Sequence, residues 1–313
     1  MKILSKKPKI IVIVGPTAVG KTSLSIQAAH ALTGEVISGD SMQIYTGLDI
    51  GTAKVTAEEA EGVVHHLIDV RTVEDTFTAA DFKDIASQKI EEIIDKTHTP
   101  IIVGGTGLYI ESLLYDLSLG KKDSSDNHVR AELQEKAEKI GKEDLWNELK
   151  AIDPKAAETI HPNNVRRVIR ALEVFETTGV LFSEQKEEKK ESPYDFLIIG
   201  LRTDRSLLYD RIDRRVDLMM DAGLLEEAKW LWEKVPPDAQ AAKGIGYKEL
   251  FPYFEEEQTL EEVSQKIKQH SRNYAKRQLT WFQNRMPMIH WYDLVENPEQ
   301  LDQAIQQMRD FIN

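Results

Sequence analysis

Ile10 to Val14 are apolar and β-branched without interruption. A strand with one wet face alternates, so an unbroken run predicts a strand buried on both faces of a parallel sheet. Ser23 to Leu32 continues in helical rhythm, and Gly34 is a candidate for its C-cap. Glu35 to Asp40 reads as a second strand that ends in an acid, and His65 to Val70 as another short strand. Between them, Ser41 to Lys54 has no clear period, and its Gly, Thr and Asp content predicts an ordered functional loop. Ala79 to Lys96 is helical, and Pro100 to Val103 is a further buried strand running into a Gly-rich turn and a helix. Alternation of this kind predicts an α/β, doubly wound parallel sheet with ligands at the carboxyl ends of its strands. Gly15, Asp40 and Gly104 stand at such ends and are expected to converge.

The pattern then changes. Gly120 to Asp126 is polar, and His128 to Phe182 reads as helices only, with starts at Asp153-Pro154 and at Asn163 or Asn164 ahead of Val165 to Thr177. Ser183 to Ser192 is highly charged, and Tyr194 to Leu201 returns to a strand. Leu207 to Val235 is helical, Pro236-Pro237 stops it, and Leu260 to Asn284 is a long helix or a helix pair. The expected organisation is a phosphate-loop α/β core, 1–119 and 194–313, its carboxyl-terminal region helical. An all-helical domain, 120–193, is inserted between two of its strands. Two connections would let that insertion move as a lid.

Composition narrows the setting. A chain of 313 residues buries a substantial core, and the absence of cysteine excludes disulfides, thiolate zinc sites and Cys nucleophiles. Lys2, Lys6, Lys7 and Lys9 precede the apolar run as in a signal peptide, but that run is too short for a signal or a membrane span. A cytoplasmic protein without a membrane partner is expected, and a monomer. The net charge of −13 argues against nucleic acid unless a local basic surface outvotes it.

Candidate chemistry begins with Gly15-Pro16-Thr17-Ala18-Val19-Gly20-Lys21-Thr22, which fits G-x-x-x-x-G-K-[ST] between a strand and a helix. Backbone N–H groups and the helix N-terminus form an anion nest, Lys21 reaches the outer phosphate, and the Thr22 hydroxyl can ligate Mg²⁺. The motif specifies a bound polyphosphate, ATP among the possibilities, without specifying the reaction. Ordinary nucleotide hydrolases carry a second strand that ends in an acid supporting Mg²⁺. Here Ile101 to Val103 leads to Gly104-Gly105-Thr106 with no acid, so Asp40 is the better-placed carboxylate.

Further motifs follow in order: Asp40-Ser-Met-Gln-Ile-Tyr45, Gly51-Thr-Ala-Lys54, His65-His-Leu-Ile-Asp69 and Gly104-Gly-Thr-Gly-Leu-Tyr109. Arg167-x-x-Arg-Ala-Leu-Glu173, Gly246-Tyr-Lys248 and Tyr274-Ala-Lys-Arg-Gln-x-Thr-Trp281 complete the series. Together with the phosphate loop they resemble the tRNA dimethylallyltransferase (isopentenyltransferase) family over nearly the whole chain. The resemblance implies transfer of a dimethylallyl group from dimethylallyl diphosphate to N6 of adenosine 37, beside the tRNA anticodon, with release of pyrophosphate. It implies Asp40 as the base, Thr106 in positioning the donor or the amine, and Arg215 on the pyrophosphate, with Arg211 one helical turn away. The lack of a Cys/His finger implies the bacterial form. From periodicity alone, the alternating acids Asp210, Asp213 and Asp217 favour an ordinary solvated helix there.

From Ser264 to Tyr292 there is no Asp or Glu, while Lys266, Lys268, Arg272, Lys276, Arg277 and Arg285 all occur. In an acidic chain this is the electrostatic footprint of a nucleic acid, and Tyr274, Trp281 and Phe282 could stack on bases or equally belong to the core. Resemblance implies anticodon-arm contacts from Asp40, Ser41, Met42 and Gln43, from Arg166, Arg167, Val168, Ile169 and Arg170, and from Lys243, Gly244, Ile245, Gly246, Tyr247 and Lys248. Gln283 stands where the family often has Arg, and Arg285 could substitute. Adjacent His65 and His66 face opposite ways on a strand and read as structural rather than as a metal pair. The competing readings are a small-molecule kinase using ATP, which needs no basic carboxyl-terminal helix, and a nucleotide-gated RNA-binding switch.

Overall fold

β1 (Lys9–Val14) enters α1 (Lys21–Leu32) through the phosphate-loop stretch, and β2 (Gly34–Ser38), the short β3 (His65–His66), α2 (Ala79–Asp95), β4 (Thr99–Gly104) and α3 (Gly107–Leu114) follow. Four helices come next: α4 (Ser124–Ile140), α5 (Lys142–Ile152), α6 (Pro154–Thr159) and α7 (Val165–Thr178). The chain ends with β5 (Asp195–Leu201), α8 (Arg205–Asp221), α9 (Leu224–Lys234), α10 (Phe251–Phe254), α11 (Leu260–Arg285), β6 (Ile289–Tyr292) and α12 (Gln300–Ile312). This computed structural model describes residues 7–117, 124–184, 191–286 and 288–313. Lys2, Lys6, 120–123 of the polar break and 185–190 of the charged stretch lie outside the described residues.

All six strands are parallel, in the order β3-β2-β4-β1-β5-β6. β1 sits inside, paired with β4 on one side and β5 on the other. Its unbroken apolar run has a direct cause in the two-residue period of a strand. Ile10, Val12 and Val14 enter a core with α2, α3, α9 and α11, whereas Ile11 and Ile13 enter a second core with α1, α8 and α12. The α/β parallel fold expected from the pattern is the one observed.

Several boundaries differ for local reasons. Thr33, at φ 50, is the C-cap of α1, and Gly34 already belongs to β2. The strand expected over His65 to Val70 stops at His66 because Leu67 and Asp69 take positive φ, 61 and 55. Asn164 precedes α7, but its side chain makes no capping bond. The helix expected from Leu207 to Val235 is broken at Gly223, φ 103, into α8 and α9. α11 is a single helix opened by a capping box of Thr259 and Glu262. β6 was not expected; it is a short edge strand whose half-buried pattern is weak, and it pairs with β5 from Ile289 to Tyr292.

The chain divides into two compact units: Met1–Asp116 with Lys190–Asn313, and Leu117–Lys189. These limits fall a few residues before the expected ones. The second unit is helical, with its own core of Leu133, Leu145, Leu149, Ile160, Val168 and Leu172. Within it, buried Glu173 is held by Arg130 at 2.7 Å and Arg170 at 3.0 Å. No described helix is long and apolar enough to cross a membrane.

Candidate active site

The phosphate-loop stretch turns from β1 into α1 with Ala18 at φ 64 and Gly20 at φ 103, a left-handed N-cap that glycine adopts without steric cost. Lys21 folds back over the loop and donates to the carbonyls of Gly15 at 3.0 Å and Pro16 at 2.7 Å. Burial lowers its pKa to about 8, against the opposing pull of Asp40 and with a contribution from Arg215. Arg211 and Arg215 approach from α8. Arg211 Nε donates to the Ala18 carbonyl at 2.9 Å, and Arg215 Nη1 lies 3.5 Å from Thr17 Oγ1. Arg214 lines the same cleft of about 530 Å³.

Two of the acids interleaved with these arginines, Asp213 and Asp217, point the other way. Asp213 binds Arg272 of α11 through both oxygens at 2.6 Å, and Asp217 binds Lys268 at 2.6 Å. Residues four apart share a helix face. α8 therefore presents an arginine face to the phosphate loop and an acidic face to α11. The helix keeps the exposed, alternating charges that periodicity favoured at Asp210 and Arg214, but Asp213, Asp217, Arg211 and Arg215 are engaged by neighbouring elements.

Asp40 lies just past the end of β2, where its Oδ1 accepts the Met42 N–H at 2.8 Å. Thr106 occupies the N-cap position of α3 but makes no capping bond. Its hydroxyl oxygen instead accepts the Ser41 N–H at 3.1 Å and so steadies the turn that carries Asp40. The ends of β2 and β4 approach closely: a Cβ on Gly104 would collide with the Gly39 carbonyl. Tyr274 of α11 lays its hydroxyl against Thr106 and Gln278; burial, then the Asp40 charge, push its pKa up to about 12, which keeps the phenol neutral.

A second chamber of about 320 Å³ adjoins the phosphate cleft and has an apolar lining that includes Met42, Ile212, Val216, Met219, Ile245 and Ile267. Thr17, Asp40, Thr52, Arg215 and Tyr274 line both spaces, and among the described residues Asp40 is the one carboxylate on either wall. Gly15, Asp40 and Gly104 thus converge as strand order required. The site thus sets a cationic cleft, a carboxylate and an apolar chamber side by side along a shared wall.

Residues 43–285 match the IPP transferase family. The chain belongs to that family. Among its relatives, the tRNA dimethylallyltransferase of Limosilactobacillus reuteri (strain DSM 20016) is 55% identical over 306 residues, covering 97% of this chain and 99% of that protein. The tRNA dimethylallyltransferase of Bacillus subtilis (strain 168) is 52% identical over 289 residues, covering 92% and 91%. Among solved structures, the tRNA isopentenylpyrophosphate transferase of Bacillus halodurans superposes with a TM-score of 0.73 at 46% identity, covering 97% of each chain. A eukaryotic dimethylallyltransferase acting on tRNA superposes with a TM-score of 0.80 at 32% identity, covering 97% of this chain and 79% of that one.

The residues expected to meet RNA do not share one environment. Arg166 and Arg167 are exposed on the helical unit, but Val168 and Ile169 are core residues, 0% and 6% exposed, so their side chains are not surface contacts. Arg170 is tied to Glu173. Lys243 and Lys248 are exposed, Ile245 lines the apolar chamber, and Gly244 and Gly246 are buried. Tyr247 is fully buried and donates to Glu227 at 2.6 Å, which corrects its expected place on an RNA surface. Gln43 is half-buried and lines the cleft, where Ser38 donates to it at 2.9 Å and it donates to the Thr52 carbonyl at 3.2 Å. On α11, Arg272 is committed to Asp213, whereas Lys276 is exposed and Arg277 stacks over the Tyr274 ring at 5.7 Å. Phe282 is core. Arg285, expected as a possible substitute at the position of Gln283, binds buried Glu111 at 2.7 Å and stacks on Trp281.

Four residues of the site carried no role in the sequence reading: Arg214, Glu227, Lys54 and Gln278. The carboxylate of Glu227 accepts the N–H groups of Asp49, Ile50 and Gly51 at 2.8, 2.8 and 2.9 Å. Lys54 ties the same loop through the Tyr45 carbonyl at 2.6 Å, Asp49 at 2.7 Å, and Asp69. These bonds order the aperiodic stretch from Ser41 to Lys54. Only the motif Gly51-Thr-Ala-Lys54 marked Lys54 beforehand; nothing local distinguishes Glu227 from its neighbour Glu226.

Proposed function

We propose that this chain transfers the dimethylallyl group of dimethylallyl diphosphate to N6 of adenosine 37 in the anticodon loop of tRNA, releasing pyrophosphate. The observation that carries the reading is the wall shared by the cationic cleft and the apolar chamber, whose one carboxylate among the described residues is Asp40. A diphosphate fits the amides of the loop, with Lys21, Arg211 and Arg215 around it. The exocyclic amine attacks the allylic C1, the C1–O bond breaks, and its electron pair leaves on pyrophosphate. Lys21 and the arginines stabilise charge that develops there, which is where fixed positive groups lower a barrier most. The amine is a weak nucleophile because its lone pair is delocalised, so it needs orientation and a proton acceptor. Asp40 takes that proton, and Thr106 keeps the Asp40 turn in place.

Among the described residues no cluster of three metal-ligating side chains occurs, and Thr22 brings a single exposed hydroxyl to the cleft. That sparse set fits Mg²⁺, which keeps several waters and draws its other oxygens from few side chains and from substrate phosphates. Thr22 would hold it together with the diphosphate, and when bound it neutralises charge on the leaving group. We assign Lys276, Arg277, Lys243 and Lys248 to the tRNA backbone on the core unit, and Arg166 and Arg167 on the helical unit. The base must leave its stack to be modified, which favours contacts from more than one surface. A monomer suffices for this chemistry.

Radiolabelled dimethylallyl diphosphate and an anticodon stem-loop with adenosines at 36, 37 and 38 should yield labelled RNA. Asp40→Ala should abolish transfer while tRNA affinity is retained. Absence of transfer, with phosphorylation of a small acceptor from ATP instead, would overturn the reading.

A further inference from the structure

Gln278 stands on α11, is 5% exposed, and has both ends of its amide occupied. Its Oε1 accepts the Thr17 N–H at 2.9 Å, and its Nε2 donates to the Gly105 carbonyl at 3.1 Å. The second turn is shaped around this amide: a Cβ on Gly105 would run into Nε2. Each bridged loop continues to a group of the site. Thr17 lies against Arg215 through its hydroxyl, and Thr106, the next residue after Gly105, holds the amide of Ser41 beside Asp40.

We propose that Gln278 is a positioning residue for the transfer: its amide sets the separation between the diphosphate loop and the turn that carries Thr106, and thereby the separation of the leaving group from Asp40. The sheet fixes β1 only to Val14 and β4 only to Gly104. Beyond those points the loops have no ladder between them, and Gln278 spans the gap. In-line displacement is intolerant of misplacement, and an error of about 1 Å can cost about 100-fold in rate. A carboxamide suits the task because it carries donor and acceptor on one planar group, which neither a carboxylate nor a thioether does.

The inference rests on the transferase reading, and its test is chosen so that the two can fail separately. Gln278→Met keeps length and apolar volume but removes both bonds to the loops, together with the contact to the Tyr274 hydroxyl. Single-turnover transfer should fall about 10- to 100-fold, tRNA affinity should be unchanged, and pyrophosphate affinity measured by calorimetry should weaken. Gln278→Glu keeps the acceptor and regains a donor only when protonated. Burial at this position raises a carboxyl above its ordinary range, so the rate relative to wild type should recover as pH falls from about 8 to about 5. A packing role would leave that ratio flat. Gly105→Ala, which crowds the amide without removing it, should slow transfer similarly, and adding Gln278→Ala should restore part of the loss because the new methyl then has room. Wild-type rate and pyrophosphate affinity in Gln278→Met, a flat pH ratio in Gln278→Glu, or full additivity in the double variant would overturn the inference. If wild-type protein labels no RNA, the transferase reading fails, and the bridge is still judged by pyrophosphate affinity.

Discussion

Lys21 illustrates how one residue is held ready for an anion. In the structure its ammonium group satisfies itself on the carbonyls of Gly15 and Pro16, and burial has brought its pKa down to about 8. A lysine with a lowered pKa loses its charge as pH rises through that value. A diphosphate beside it favours the charged form and raises the pKa again. Binding near pH 8 should therefore take up a proton, and affinity should decline as pH rises further. Calorimetry of pyrophosphate binding in two buffers of different ionisation enthalpy would detect the uptake, and Lys21→Met should eliminate it. Buffer-independent heats with wild-type protein would exclude the coupling. Thr106 makes a complementary point, since it forgoes capping α3 in order to hold Ser41.

At the scale of elements, α8 and α11 are charged partners. Asp213 with Arg272 and Asp217 with Lys268 join them, so part of the basic stretch from Ser264 to Tyr292 is consumed inside the fold. The remaining outward charges include Lys276. Two substitutions on one helix should then behave differently. Arg272→Ala should lower stability by about 1 kcal/mol, the scale of a partly exposed pair, and leave the salt slope of RNA binding unchanged. Lys276→Glu should leave thermal unfolding unchanged, weaken RNA binding, and reduce the salt slope by about one. Filter binding across a salt series with parallel melting curves distinguishes them. An unaltered slope for Lys276→Glu would remove α11 from the RNA surface.

At the scale of the whole molecule, the two ends of β2 carry carboxylates in different settings. Asp40 lies past its carboxyl end, whereas Glu35 lies near its start, 3% exposed, with His66 at 2.6 Å, His98 at 2.7 Å and Lys96 at 3.1 Å. Burial alone would raise the Glu35 pKa, but the hydrogen bonds from His66, His98 and Lys96 outweigh it and hold the carboxyl at about 2. A depressed carboxyl contributes stability above its ordinary titration range and loses that contribution as pH falls through its folded value. The window runs from about 4.5 down to about 2. Glu35→Gln should cost roughly 3 kcal/mol at neutral pH and flatten the acid limb of the stability curve. Chemical denaturation at neutral and acid pH checks this; equal acid losses in both proteins would clear Glu35 of the role. Of the two histidines that sequence reading set aside as structural, His66 serves this carboxylate, whereas His65 bonds the Val63 carbonyl.

By itself, the sequence determined the features that depend on near neighbours. The unbroken run before Gly15 required a strand with two buried faces, and the loop, the acid after β2 and the Gly-rich turn after β4 had to meet at one end of a parallel sheet. Motif order along the chain was enough to indicate the family. Tertiary structure decided which charges remain outside and which polar groups hold the site together. Gln278 meets Thr17 across 261 positions, and Arg285 meets Glu111 across 174. Such partners are selected by how helices seat on the sheet, and local periodicity carries no record of that choice. A basic stripe, a buried tyrosine and an unassigned glutamine therefore acquired their places only when the chain was folded.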